Sequence, residues 1–148
     1  GGGVGVSGQQ SAVSEEQVAT TARKSYERLM KDFRDLQVWQ KAHASTISVY
    51  HHTQQFPTTE RCGITSQLRR SCASVAANIA EGCGRGSDPD FCRFLQMAMG
   101  SASESEYHVL LAHDLGFLQQ EAYQTLTNQL QEVKKMLASL IRKLSADR

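Results

Sequence analysis

The feature that most restricts this chain lies near its C-terminus, where Leu126, Leu130, Val133, Leu137, Leu140 and Leu144 recur at spacings of 4, 3, 4, 3 and 4 residues. That rhythm puts all six on one face of a helix and suits helices crossing at a shallow angle. A helix with one apolar stripe cannot hide it alone and needs partners with stripes of their own. Three upstream segments supply them, and apolar residues make up 40% of the chain, enough for a shared core.

The spacing predicts a first helix over about 35–55, with Leu36, Trp39, Ala42, Ile47 and Tyr50 on its inner face. Phe56-Pro57 stops it, because a residue before proline is pushed out of the helical region. A second helix starts between Thr59 and Thr65, with the stripe Ile64, Leu68, Cys72, Val75 and Ile79. The run from Gly82 to Gly86 ends it, glycine there being expected to supply a positive φ. Ser87 caps the third helix, with Pro89 in its first turn and Asp88 and Asp90 at the positive end of its dipole. Its inner face is Phe91, Phe94, Leu95, Ala98, Ala102, Ser105, Val109 and Ala112, and it ends near Leu115-Gly116. The fourth covers about 119–144. No alternating β-branched segment competes, and short links place successive helices antiparallel, so the expected fold is an all-α, up-down-up-down four-helix bundle.

That domain is expected to span 33–146. Residues 1 to about 14 are Gly-rich and aperiodic, and 15–31 hold helix formers with few apolar positions, so 1–32 read as a flexible or weakly helical extension. The start of the chain lacks the basic head and apolar middle of a secretory signal. No apolar run approaches the ~20 residues of a membrane span, so a cytoplasmic protein with no membrane partner is expected. Cys62, Cys72, Cys83 and Cys92 show no zinc spacing and read as reduced packing residues.

Sixteen Lys and Arg face 15 acidic residues, a net charge of +1, which excludes a strongly basic nucleic-acid coat and an acidic tail. Any electrostatic partner must meet a local patch. Arg61, Arg69, Arg70 and Arg85 form one cluster around the second helix, opposed only by Glu81 within that span. Lys134, Lys135, Arg142 and Lys143 form another on the fourth. No RNA-reading signature or stacking platform accompanies them, so binding through these patches should be salt-sensitive and weakly sequence-specific.

The outward faces carry a second signal. At about 100° per residue, Arg70, Ala73, Ser74, Ala77 and Glu81 lie opposite the core stripe of the second helix. Met97, Gly100, Glu104, Tyr107 and Leu111 lie opposite that of the third. Small or apolar residues on both sides of a helix point to neighbours on both sides. These ten residues are expected to line an oligomer interface, with Arg69 or Arg70 pairing to Glu104 or Glu81.

Catalytic and cofactor chemistry finds little footing. Gly82, Gly84 and Gly86 precede a helix without the Lys-Ser/Thr or the strand of a P-loop. Glu104 and His108 are four apart where a di-metal bundle uses Glu-x-x-His. The five histidines form no ligand set. Ser, Cys, His and carboxylates are present with no arrangement evident, so neither an enzyme, a metal nor a cofactor is expected.

The stretches FRDLQVWQKA (33–42), FPTTERCGITSQLRRSCASVAANIAEGCGRGS (56–87) and DFCRFLQMAMGSASESEYHVLLAHDLGFL (90–118) resemble the 23S rRNA intervening-sequence proteins, a family of four-helix-bundle proteins. QLRR at 67–70, NIAEG at 78–82 with Arg85, and GSASESE at 100–106 carry the resemblance most specifically. It implies a left-handed bundle assembling as a homopentamer, with no catalytic residues. Arg69, Arg70, Asn78, Glu81 and Arg85 correspond to the family's polar signature. Cys83 departs from the pattern, since an aromatic residue is more usual there. Two functions follow from the resemblance. One is an RNA-binding oligomer, for which the two basic clusters read above offer Arg69, Arg70, Arg85, Lys134, Lys135, Arg142 and Lys143. The other is a protein adaptor such as the reverse-transcriptase accessory subunit of a diversity-generating retroelement.

Overall fold

The computed structural model describes Gly3, residues 12–29 (side chains as far as Arg23) and residues 32–146. The described residues form five α-helices and no strand: α1 (Glu15–Leu29), α2 (Gln37–Thr53), α3 (Ile64–Cys83), α4 (Asp88–Asp114) and α5 (Gln120–Ala146), with 3₁₀ turns at Phe33–Asp35 and Thr58–Glu60. The expectation of disorder over 1–14 falls, apart from Gly3 and residues 12–14, outside the described residues.

α1 begins with a reciprocal cap. Ser14 Oγ accepts from the Gln17 N–H at 3.2 Å, and Gln17 Oε1 accepts from the Ser14 N–H at 3.1 Å. Its side chains from Glu15 to Arg23 are all exposed. The long helices are different. α3 packs against α4, α4 against α5, and α2 against both α3 and α5. Ser87 caps α4 as expected, its Oγ accepting from the Asp90 N–H. Gly116, at φ 80°, ends that helix in a Schellman turn, with Gly116 N–H donating to His113 O and Phe117 N–H to Ala112 O.

Two clusters fill the interior. One gathers Val38, Ile79, Leu95 and Leu137, and the other Val49, Leu68, Val109 and Leu130. The stripes expected for α3 and α4 are buried throughout. On α5, Leu126, Leu130, Val133 and Leu137 are buried, while Leu140 and Leu144 pack at the margin.

Two expectations are corrected. On α2 the inner face is Val38, Ala42, Ser45, Thr46, Val49 and Thr53, while Ile47 and Tyr50 are 58% and 45% exposed. The hydroxyls of Ser45, Thr46 and Thr53 bury because each donates to the carbonyl four residues back. The glycine run after Ile79 does not supply a positive φ either, since Gly116 alone does so among the described residues. Gly82 lies inside α3 because the helix there meets α4 too closely for a side chain.

Candidate nucleic-acid interface and assembly face

The basic residues divide by what already occupies them. The Arg69 Nε donates to Thr53 Oγ1 at 2.8 Å, and its guanidinium lies 4.6 Å from the Tyr50 ring centroid. Arg85 donates to Glu81 Oε1 at 3.0 Å, four residues back, and covers the Phe94 ring. Lys134 Nζ sits 2.8 Å from Glu106 Oε1 on α4. These three cations are tied within the subunit. Within the subunit, Arg69 meets Thr53 and Tyr50, and Glu81 meets Arg85. Arg70, Lys135, Arg142 and Lys143 are exposed and have no ion-pair partner among the described residues.

Lys135 and Lys143 share one feature. Both line a groove of about 470 Å³ between the start of α2 and the second half of α5, floored by Leu36, Val38, Met136 and Leu140. The two lysines stand eight residues apart on α5, a rise of about 12 Å. Two unpaired ammonium groups over an apolar floor can hold phosphates while a flat or apolar group rests between them. Arg142 does not line the groove, and Arg70 lies on α3. The basic residues therefore do not merge into one continuous patch.

The proposed assembly residues also divide. On α4, Met97, Tyr107 and Leu110 are 47%, 59% and 42% exposed, and the space beside Gly100 is open. Glu104, Ala77 and Glu81 are exposed as well. Leu111 is half-buried against the Val109–Leu130 cluster, and Leu110, which periodicity did not single out, takes the outward position. Ala73 is half-buried. Ser74 is turned inward, accepting from Ser101 Oγ at 3.1 Å and from the Asn78 amide at 3.0 Å.

The seam between α3 and α4 holds an arrangement that spacing did not reveal. Ser105 Oγ donates to Ser71 Oγ at 2.9 Å, Ser71 Oγ lies 3.4 Å from His108 Nδ1, and His108 Nε2 lies 4.0 Å from Glu104 Oε1. A hydroxyl, an imidazole and a carboxylate thus stand in line. Ser71 is only 3% exposed, its hydroxyl also donates to Leu68 O, and a nucleophile must reach a substrate. The arrangement joins two helices through polar contacts. Among the described residues no three His, Cys, Asp or Glu side chains gather as a metal site, and no helix is long and apolar enough to cross a membrane.

The sequence profile of the 23S rRNA-intervening sequence proteins matches residues 34–139. A crystal structure of a protein of unknown function from the S23 ribosomal protein family of Bacteroides thetaiotaomicron is similar at 27% identity and a TM-score of 0.66. The match covers 70% of this chain and 97% of that one. No curated protein matches the chain.

Proposed function

The chain belongs to the 23S rRNA-intervening sequence protein family, and on that premise we propose that it is a non-enzymatic, cytoplasmic protein that assembles with its own copies and binds RNA. Residues 33–146 act as the functional unit, a left-handed up-down-up-down bundle of α2 to α5, with 1–32 as an extension. The neighbour relations of the four long helices support that topology.

The observation that carries the RNA reading is the pair Lys135 and Lys143, without ion-pair partners among the described residues and both lining one groove from its α5 wall. Arg70, Arg142 and Arg69 add positive charge, while Arg85 and Lys134 are neutralised by Glu81 and Glu106. One copy offers few phosphate contacts, as a net charge of +1 implies. A homopentamer built on the α4 face of Met97, Gly100, Tyr107 and Leu110 repeats the groove in every copy and multiplies its effect. The test is RNA affinity against salt. Each phosphate contact to a single strand contributes a slope of about −0.7 in log K against log salt. A steep fall supports the reading, and salt-independent binding or none contradicts it.

A second reading, an adaptor docking a protein such as a reverse transcriptase, is favoured by Ile47 and Tyr50. They expose apolar surface on α2, away from the α4 assembly face. Ile47→Glu would then abolish partner binding and leave assembly intact.

A further inference from the structure

A second cleft, of about 340 Å³, opens where α2 gives way to α3, and its walls include Thr53, Thr58, Arg61, Thr65 and Arg69. Its polar side chains are those of Thr53, Gln54, Thr58, Arg61, Thr65 and Arg69, with two cations and no carboxylate among them. Arg69 is fixed in advance: its Nε bond to Thr53 and its stacking on Tyr50 hold the guanidinium, and its two terminal nitrogens have no partner among the described residues. Thr53 is itself anchored, donating to Val49 O at 2.7 Å. Arg61 is exposed and has no counter-ion among the described residues. Thr65 is 5% exposed, and its Oγ1 has no hydrogen-bond partner among those residues. A buried hydroxyl without a partner is uncommon in a native interior, and this one keeps its proton free to donate. The nearest carboxylate on the connection, Glu60, lies against Gly63 and is not part of the cleft wall.

We propose that this cleft is a phosphate-binding site, built to take a phosphate monoester between Arg61 and Arg69 with the Thr58 and Thr65 hydroxyls as further donors. Two planar guanidinium forks suit an acceptor-only group bearing several oxygens, and a bidentate fork matches phosphate geometry. Three terminal oxygens use such a donor set more fully than the two of a carboxylate. The cleft is distinct from the Lys135–Lys143 groove, so the proposal rests on the RNA reading only for one source of the phosphate, a strand's 5′ end. Free phosphate or a mononucleotide is the other source.

The experiment titrates inorganic phosphate into the full chain and follows amide and arginine side-chain NMR signals. It then compares otherwise identical RNA oligonucleotides bearing a 5′-phosphate or a 5′-hydroxyl. Saturable shifts are expected at Arg61, Thr65 and Arg69. Arg61→Gln is expected to weaken phosphate binding roughly tenfold, the loss of one charge-assisted contact. Thr65→Val is the second variant. It removes an unpaired hydroxyl, so it keeps or raises Tm while weakening phosphate binding. A 5′-phosphate preference that vanishes in Arg61→Gln and survives Lys135→Glu/Lys143→Glu assigns the RNA end as ligand. Phosphate binding without that preference assigns free phosphate or a mononucleotide. Phosphate binding in a protein that binds no RNA sinks the RNA reading alone. Scattered or absent shifts, or phosphate affinity unchanged in both single variants, overturns the cleft.

Discussion

A Cβ placed on Gly82 would stand 2.7 Å from the Cβ of Phe94 and 2.9 Å from Cδ2 of Phe91, so α3 and α4 meet with room for a hydrogen and nothing larger. Gly→Ala inside a helix ordinarily stabilises by about 1 kcal/mol through propensity. At position 82 the overpacking outweighs that gain. Gly82→Ala is expected to destabilise the fold by about 1–3 kcal/mol, measured by urea denaturation. Gly100 gives the opposite result. Nothing lies within 4 Å of its added Cβ, so Gly100→Ala raises the stability of the separated subunit by about 0.5–1 kcal/mol.

The exposed α4 residues make a prediction about size. The native protein should run in light scattering as a multiple of its 16.3 kDa chain, with five copies as the proposed number. Tyr107→Glu should shift that mass to a single chain with helical circular dichroism retained, because Tyr107 is 59% exposed in the subunit. A strict monomer at micromolar concentration in the native protein contradicts assembly.

Burial sets the behaviour of the cysteines. Cys62 is exposed, while Cys72, Cys83 and Cys92 are buried. One thiol of the four should therefore react rapidly with an aromatic disulfide in the folded protein, and the other three only on unfolding.

Cys72 also ties stability to alkaline pH. Burial pushes its thiol up to about 11 from an ordinary 9.0, opposed in part by the hydrogen bond with Thr46. The unfolded chain then releases this proton more readily than the folded one. Stability is unaffected below about pH 9 and falls as pH rises towards 11, by about 1.4 kcal/mol for each pH unit across which the states differ. Comparing Cys72→Ala with the native protein isolates the effect: the variant starts less stable, from the lost packing, and loses less between pH 9 and 11.

The seam serines can be tested in the same way. Ser105→Ala removes the donor to Ser71 at 2.9 Å and is expected to cost about 1–2 kcal/mol, read from the shift in denaturation midpoint.

Much of the helical frame was legible in the sequence, and the residues that were not share a cause. The stripes of α3, α4 and α5 were visible because their buried residues are apolar or small and recur at helical spacing. On α2 the inner positions Ser45, Thr46 and Thr53 are polar, and their burial depends on hydroxyl-to-carbonyl bonds that a hydropathy pattern does not register. The outer Ile47 and Tyr50 took their place in that pattern. Gly82 was visible as a glycine, but its reason lies with Phe94 on another helix. For the candidate sites, the lysines of α5 stood out as a cluster, while only folding showed that Lys135 and Lys143 share a groove and Lys134 belongs to Glu106. Thr53 and Arg69 are sixteen residues apart, and no local signal joins them.

The proposed RNA site at the groove between α2 and α5 is tested by measuring RNA affinity of the double variant Lys135→Glu/Lys143→Glu beside the native protein across a series of salt concentrations. Both side chains are exposed, so the fold should persist. A loss of at least tenfold and a shallower salt slope are expected. Equal affinity and equal slope in a variant that is folded and assembled like the native protein would contradict it.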